Sequence, residues 1–189
     1  MKKIQFNLNI GIIGSNESNR MKFLEGVKSQ AFKEFEHVDE TSYSKFLTIF
    51  NSIPIILKVF SIKNFDGLVN KYKIHKDMEV IILLIELDSL EDFDILQRQK
   101  MDEINELFLN NIVFILVGID SGDPSKISDI QLIEKAKELN VFYCFKIYQG
   151  LNEVMEVIET ILKDFIFKYR YTSPELFAKA LSYGKQLEN

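Results

Sequence analysis

The sequence predicts an α/β protein, with a mostly parallel central sheet and helices on both of its faces. From Val80 onward, apolar segments of strand length alternate with longer amphipathic segments, and this alternation is typical of a parallel sheet that is buried on both sides. Earlier in the chain, two adjacent β-rich segments predict a hairpin. The hairpin should add one antiparallel edge strand to the sheet.

The first strand is predicted over Ile4 to Ile13, where an alternating pattern becomes apolar and Gly14 ends the run. A polar loop follows. The segment from Arg20 to Phe35 has apolar residues at roughly helical spacing, and Ser18 or Asn19 can cap its start. A strand, a loop and a helix in direct succession are the elements from which a phosphate-binding loop is built.

The next two segments predict an exposed linker and the hairpin. The stretch "HVDETSYSK", residues 37–45, is polar and has no sustained periodicity, which is typical of an exposed linker. It runs into "FLTIFNSIPIILKVFSI", which splits at Asn51 to Pro54 into two β-rich runs. Because the turn between them is tight, we expect the two runs to pair as antiparallel neighbours.

The second half of the chain is predicted to contain three buried strands, each followed by a helix. The strands are predicted over 80–87, 111–119 and 141–148, and the helices over 90–109, 128–139 and 151–169. Cys144 falls inside the third of these strands. We therefore expect it to be a core residue rather than a nucleophile.

Residues 171–189 are predicted to form a C-terminal helical extension of a domain that spans residues 1–170. Ser173 suits the N-cap, Pro174 the first helical position and Glu175 the first turn. An apolar stripe along this helix indicates that it packs on the domain or on a partner. Of the two, packing on the domain is the favoured prediction.

The composition argues against several classes of function. The 23 basic and 28 acidic side chains give a net charge of -5 and are interspersed along the chain, so no basic face for nucleic acid is expected. The longest apolar run, Val80 to Leu87, is far shorter than the roughly 20 residues that cross a bilayer. Position 2 is Lys and the sequence ends in "GKQLEN", so no lipid anchor is expected. One cysteine and no signal-peptide pattern predict a cytoplasmic protein.

The order of elements over Ile4 to about Lys168 resembles a known family. A loop follows the first strand, an antiparallel hairpin comes next, and parallel strands then alternate with helices. Three segments add detail: "VIILLIELDSLEDFDIL", "NIVFILVGIDSGD" and "YQGLNEVMEVI". This order and these segments resemble the small GTPases of the Ras superfamily. The resemblance implies a P-loop small-GTPase-like fold, in which the second segment corresponds to the fifth strand and the guanine-reading loop.

The resemblance locates a candidate phosphate loop whose motif is changed. The family's pattern is G-x-x-x-x-G-K-[ST], in which backbone amides and Lys hold phosphates and the hydroxyl binds Mg²⁺. Aligned from Gly14, the chain has Asn19, Arg20 and Met21 at the last three key positions. Arg20 could still pair with a phosphate, but a thioether cannot replace a hydroxyl on Mg²⁺. No metal site is predicted, and the candidate phosphate-binding residues are Gly14, Ser15, Asn16, Ser18, Asn19 and Arg20.

Two further motifs of the family are also changed. Where the family has D-x-x-G, whose Asp supports Mg²⁺ and whose Gly senses the terminal phosphate, this chain has Ser61 and Asn64. Where the family reads guanine with N-K-x-D, this chain has Ile119, Asp120 and Gly122. The resemblance therefore implies that both Mg²⁺ binding and base recognition are lost.

These changes lead to one main interpretation. A catalytic glutamine should follow D-x-x-G to orient water, yet Phe65 stands in that region, so GTP hydrolysis is not expected. We interpret the chain as a pseudo-GTPase: a catalytically inactive small-GTPase-like domain that acts as a protein-interaction or scaffolding module. Its predicted partner surface is the switch-like region, residues 37–71. No cofactor is expected for such a module.

The alternative is a divergent GTP- or nucleotide-binding small GTPase that works as a regulatory switch. In that case Arg20, Ser15, Ser18 and the loop amides would hold GTP or GDP without the usual Mg²⁺ site. Such a protein could also be one subunit of a heterodimer with a partner GTPase. Nucleotide would raise its thermal stability by mass action, whereas the scaffold hypothesis predicts no shift. The sequence specifies neither the oligomeric state nor the partner.

Overall fold

The computed structural model of the chain describes residues 4–38, 43–64, 78–96, 101–103, 106, 112–148 and 150–188. Residues 101–103 and 106 are helical. The other elements, in chain order, are β1 (Phe6–Ile13), α1 (Glu17–Ser29), β2 (Ala31–Val38), β3 (Tyr43–Phe50), β4 (Ile53–Ile62), β5 (Val80–Glu86), α2 (Leu90–Ile95), β6 (Val113–Ile119), α3 (Asp129–Glu138), β7 (Tyr143–Ile147), α4 (Leu151–Thr172) and α5 (Pro174–Glu188).

The seven strands form one mixed sheet in the order β2-β3-β4-β1-β5-β6-β7. β3 pairs antiparallel with both of its neighbours, and every other pairing is parallel. A separate hydrophobic cluster lies on each face of the sheet: α1, α4 and α5 contribute to one, and α3 contributes to the other. The predicted α/β class with a mostly parallel sheet is therefore confirmed.

The predicted hairpin is confirmed as β3 and β4. Its two-residue turn consists of Asn51 and Ser52, whose φ angles are 49° and 59°, and Phe50 pairs directly with Ile53. Two consecutive positive φ angles are typical of the type I′ turn, whose twist matches that of the two strands it joins. Asn adopts this conformation more readily than most residues because its short side chain can bond locally.

The helix predicted over Arg20 to Phe35 is wrong in its second half, since α1 ends at Ser29 and β2 begins at Ala31. Gln30 fixes the change of direction. Its carbonyl accepts a hydrogen bond from Thr48 Oγ1 at 2.7 Å, and its amide Nε2 donates to the Met155 carbonyl at 3.4 Å. The helical spacing of the aromatic residues beyond this point was a coincidence that pairing with β3 overrides.

The presence of β2 corrects two further predictions. β3 was expected to be the edge strand, but β2 lies outside it, so the edges of the sheet are β2 and β7. The segment 37–45 was expected to be a linker, but residues 37–38 belong to β2 and residues 43–45 to β3. Residues 39–42 lie outside the described part of the chain. The polar composition of this segment suits an edge strand as well as a linker.

Two predictions in the second half of the chain also need correction. The helix predicted over 90–109 is interrupted, since α2 ends at Ile95 and Leu96 is extended, with ψ at 95°. Residues 97–100, 104–105 and 107–109 lie outside the described residues. Cys144 was expected in the core, but it is exposed, because β7 is an edge strand and its side chains are less covered than those of a central strand.

The C-terminal helix packs on the domain, which was the favoured prediction. Gly184 of α5 approaches the hairpin turn so closely that a Cβ there would lie 1.8 Å from the Ser52 carbonyl oxygen. Ser52 Oγ donates a hydrogen bond to Glu188 Oε2 at 2.7 Å, and Ala180 is fully buried. Within the part of the chain that the structure describes, no helix has the length and apolar character needed to cross a membrane.

Candidate functional site

The candidate site lies at the carboxyl ends of the central strands. After β1 the chain passes to the edge strand β2 and returns inward through β3 and β4, whereas from β5 it continues toward the opposite edge. β1 and β5 therefore border the crevice where open α/β sheets usually bind ligands. The loop 14–16 connects β1 to α1 at this point. A cavity of about 330 Å³ lies between this loop and α2, lined by Ile13, Gly14, Ser15, Lys63, Asn64, Leu83, Leu84, Ile85, Ser89, Glu91, Asp92 and Leu96.

Gly14, the first residue of the loop, is held tightly against the sheet. Its amide donates a hydrogen bond to the Ile62 carbonyl at 3.2 Å. A Cβ at this position would lie 2.9 Å from the Cβ of Leu84, so only glycine allows the loop to approach β5 this closely. The glycine is therefore explained by packing, and its amide already has a protein acceptor.

The next part of the site is a cluster of two asparagines and one glutamate. Asn16 is the N-cap of α1, and its side chain accepts a hydrogen bond from the Asn19 amide at 3.3 Å. The side chains of Asn16 and Asn19 both donate to Glu86 Oε1, at 2.5 Å and 3.1 Å. Glu86 is the last residue of β5. The cluster therefore ties the start of α1 to the central sheet.

Arg20 fills the concave side of the loop. Its residue is only 8% exposed. Its guanidinium donates to the Gly14 carbonyl, to the Ser15 carbonyl at 3.0 Å and, through Nε, to Ser61 Oγ at 3.1 Å. Burial lowers the pKa of Arg20, and the nearby carboxylate of Glu17 opposes this shift. Arg20 thus links the loop after β1 to the carboxyl end of β4.

At Gly14 and Ser15 the loop directs carbonyls, and not amides, at the neighbouring charged group. A phosphate-binding loop directs its backbone N–H groups at the ligand. In this chain, two loop carbonyls converge on the guanidinium of Arg20. The amides of Gly14 and Asn19 are bonded to Ile62 and Asn16. The loop is arranged around a cation that the chain supplies itself.

The remaining residues of the predicted loop are placed differently. Ser15 Oγ donates to Asp92 Oδ2 of α2 at 2.9 Å, so it also contacts the protein. Ser18 is exposed, and Met21 is 41% exposed on α1. The structure therefore brings together five of the six predicted residues around Arg20 and Glu86, and it leaves Ser18 on the surface.

The region that the sequence predicts to correspond to a guanine-reading loop lies at the ends of β6 and β7. Ile119 is a buried core residue at the end of β6. Asp120 Oδ1 accepts a hydrogen bond from the Gly122 amide at 3.0 Å. Lys146 Nζ lies 2.8 Å from Asp129 Oδ1 and 3.6 Å from Asp120 Oδ2. The hydrogen bond to Asp129 raises the pKa of Lys146. This Lys146 cluster lies near the surface, unlike the Arg20 cluster.

The positions that the sequence predicts to correspond to D-x-x-G are only partly described. Ser61 is buried, and its hydroxyl accepts the hydrogen bond from Arg20 Nε. Asn64 is exposed and lines the cavity beside the loop. Phe65, and residues 65–71 of the predicted switch-like region, lie outside the described residues. Ser61 therefore takes part in the site, in a contact that the sequence did not reveal.

The carboxyl edge of the sheet is predominantly acidic. Acidic side chains along the described part of this edge include Glu17, Glu86, Asp88, Glu91, Asp92, Asp120, Asp123, Asp129 and Glu153, and basic ones include Arg20, Lys63, Lys126 and Lys146. Despite this excess of carboxylates, the described residues contain no group of three or more His, Cys, Asp or Glu side chains arranged to hold a metal ion. Acidic side chains therefore outnumber basic ones at this edge of the sheet, and the described residues show no metal-binding group there.

Sequence reasoning missed Glu86 and Ser61, the two acceptors from neighbouring strands. A signal for Glu86 was present, because it is the one charged residue in the apolar run "VIILLIEL" and lies at its carboxyl end. Comparison with known proteins adds no identification: no protein-family model and no curated protein matches this chain.

Proposed function

We propose that the chain is a small-GTPase-like domain of the Ras type that works as a protein-interaction module and needs no nucleotide. The observation that carries this proposal is the position of Arg20. Its guanidinium occupies the concave side of the loop after β1, where two carbonyls and the Ser61 hydroxyl accept its hydrogen bonds. The residue that could have paired with a phosphate is used inside the protein.

The cost of opening this loop supports the proposal. The Gly14 and Asn19 amides already have protein acceptors, so a phosphate could use these two amides only if those hydrogen bonds were broken. Arg20 would also have to leave its buried acceptors, and each unsatisfied buried polar group costs roughly 1–3 kcal/mol. The interactions of a bound nucleotide would have to exceed the free energy of these broken hydrogen bonds before any net affinity resulted.

The charge of the carboxyl edge supports it as well. Glu86 lies beneath the loop, and Glu91 and Asp92 line the adjacent cavity. A triphosphate brought to this crevice would meet carboxylates, and repulsion between like charges is strong where solvent screening is reduced. In the small GTPases, Mg²⁺ offsets such repulsion, but the Met21 thioether is not a ligand for a hard cation.

The proposed partner surface is the switch-like region 37–71, which contains the end of β2 and all of β3 and β4. β3 and β4 hold this surface on a rigid sheet, because they pair along their whole length. Since the proposal assigns no bound phosphate to this region, partner binding should be constitutive. The order of the strands and the loop after β1 support the family resemblance on which this assignment rests.

A nucleotide-binding measurement tests the proposal. The protein is purified without added nucleotide and titrated with fluorescent GTP, GDP and ATP, each with and without Mg²⁺, while its melting temperature is recorded. We expect no saturable binding and no rise in melting temperature, because a ligand that does not bind the native state cannot stabilise it. Saturable binding that is lost in Arg20→Ala would overturn the proposal and support the divergent nucleotide switch.

A reversion variant makes this test sharper. The triple change Asn19→Gly, Arg20→Lys and Met21→Ser restores the family's motif while leaving Asn16 and Glu86 in place. We expect this variant to remain without nucleotide, because α1 begins at Glu17 and leaves a loop of three residues, 14–16. Binding by the reverted protein would show that the three side chains, and not the loop, had been limiting.

A further inference from the structure

The two edges of the sheet are built differently. β2 has two register shifts in its pairing with β3 and carries exposed charges at Lys33 and Glu34. Shifts and charges of this kind are the usual protection of an edge against pairing with another chain. β7 has five consecutive pairs with β6 and no shift. Among the described residues, β6 is the only strand that pairs with it.

Exposed apolar side chains surround the β7 edge. Phe142 and Tyr148, which flank the strand, are 69% and 62% exposed, and Cys144 is exposed between them. The adjacent α3 carries Ile130 and Ile133, which are 69% and 48% exposed. The contact between Lys146 and Asp129 holds the start of α3 beside β7. The one charged residue of β7, Lys146, has its ammonium against Asp129 and Asp120. An apolar patch beside a regularly paired edge strand is typical of an interaction surface.

We propose that β7 pairs antiparallel with β7 of a second copy of this chain, around a two-fold axis at Phe145, so that two sheets become one continuous sheet. Phe145 is the midpoint of β7, so this register uses the whole strand. A two-fold contact requires a surface that is complementary to itself, and the sequence around β7 meets this condition.

The cross-strand pairs show this complementarity. In the register centred on Phe145, Phe142 faces Tyr148 of the other copy on one side of the sheet, and Cys144 faces Lys146. On the other side, Tyr143 faces Ile147, and Phe145 faces its own counterpart. Aromatic and β-branched pairs stabilise antiparallel strands, whereas like charges directly opposite each other destabilise them.

The same rules disfavour the two nearest alternative registers. These shift one strand by two residues against the other, so that matching faces of the two sheets still lie side by side. A register centred on Lys146 would place the two ammonium groups opposite each other. A register centred on Cys144 would leave Ile147 and Tyr148 beyond the paired segment. A second copy also brings its own Ile130 and Ile133 to the same interface, which extends the apolar contact beyond the strands. These pairings and charges are the reason for assigning the occupant as a second copy.

The test uses two charges of opposite sign at Cys144, which faces Lys146 in the proposed register. The wild-type chain, Cys144→Lys and Cys144→Glu are compared by sedimentation equilibrium over a concentration series without nucleotide. We expect a concentration-dependent dimer for the wild type. Cys144→Lys should weaken it about tenfold through two like-charge pairs, and Cys144→Glu should strengthen it through two opposite-charge pairs. Cys144 is exposed, so both variants should keep the wild-type melting temperature at concentrations where all three proteins are monomeric.

Matched controls are Ser182→Lys and Ser182→Glu on the exposed face of α5, which should leave the dimer unchanged. A wild-type protein that stays monomeric throughout the series would overturn the proposal. A dimer that both Cys144 variants change in the same direction would also overturn it, because the Cys144–Lys146 pairing would then be absent. The result does not depend on nucleotide binding, so failure here and failure of the proposed function can be told apart.

Discussion

The Arg20 cluster and the Lys146 cluster place a cation against oxygen acceptors at the same edge of the sheet, but they differ in burial. Arg20 is 8% exposed and bonds to the Gly14 and Ser15 carbonyls and the Ser61 hydroxyl. The Lys146 side chain is 28% exposed, and that of its partner Asp129 is 68% exposed. Water can replace the second set of contacts but not the first, so similar bonds should differ greatly in their contribution to stability.

The largest effect should come from Arg20→Met, which keeps the volume but removes the donors. Three acceptors would lose their partner in a buried site, so we expect the free energy of unfolding to fall by about 2–4 kcal/mol. Urea unfolding measures this change as a lower midpoint at constant slope. An unchanged midpoint would mean that the loop does not depend on Arg20.

Two further variants show whether the effect belongs to this site. Arg20→Lys keeps a charge that can reach one or two acceptors but lacks the planar fork, so it should fall between the wild type and Arg20→Met. Lys137→Met removes a cation from the exposed surface of α3 and should leave the midpoint unchanged. Equal effects of Arg20→Met and Lys137→Met would indicate a general response to lost charge.

An intermediate effect is expected at Asn16, because this residue has two separable roles. Asn16→Ala removes both the helix cap and the bond to Glu86, and a lost cap alone costs about 1 kcal/mol. Asn16→Ser keeps a capping oxygen but is too short to reach Glu86, so it should be the milder change. Thermal or urea unfolding of the two variants separates the roles. Equal losses of unfolding free energy in both variants would mean that the hydrogen bond to Glu86, and not the helix cap, is the stabilising contact.

Much of the framework could be predicted from local pattern. The strands from Val80 onward and the helix over 128–139 are set by apolar periodicity that tertiary contacts reinforce. The boundary between α1 and β2 could not be predicted in this way. It depends on hydrogen bonds from Gln30 to Met155 and from Thr48 to Gln30, and these partners are distant in sequence. Because β2 was not predicted, β3 was expected to be the edge strand on that side of the sheet.

The grouping of the candidate-site residues was predictable, but the direction of their hydrogen bonds was not. The sequence places Gly14 at the end of the first strand and Arg20 six residues later, at the start of the next helix. Whether the guanidinium faces solvent or the loop depends on Ser61, which is 41 positions away. The same limitation applies to Glu86, whose role emerges only when β5 lies beside β1. The direction of these side chains is set by contacts with neighbouring strands. A local sequence motif does not specify those contacts.

The smallest effect should come from Lys146→Met. The hydrogen bond to Asp129 raises the pKa of Lys146, so any stabilisation is fully present at neutral pH and is lost only when the pH rises through the folded-state value. Neutral pH is therefore the condition most favourable to detecting this contact. Even there, we expect the melting temperatures of Lys146→Met and Asp129→Asn to match the wild type, because water competes for exposed ion pairs. A loss comparable to that of Arg20→Met would contradict the view that burial distinguishes the two clusters.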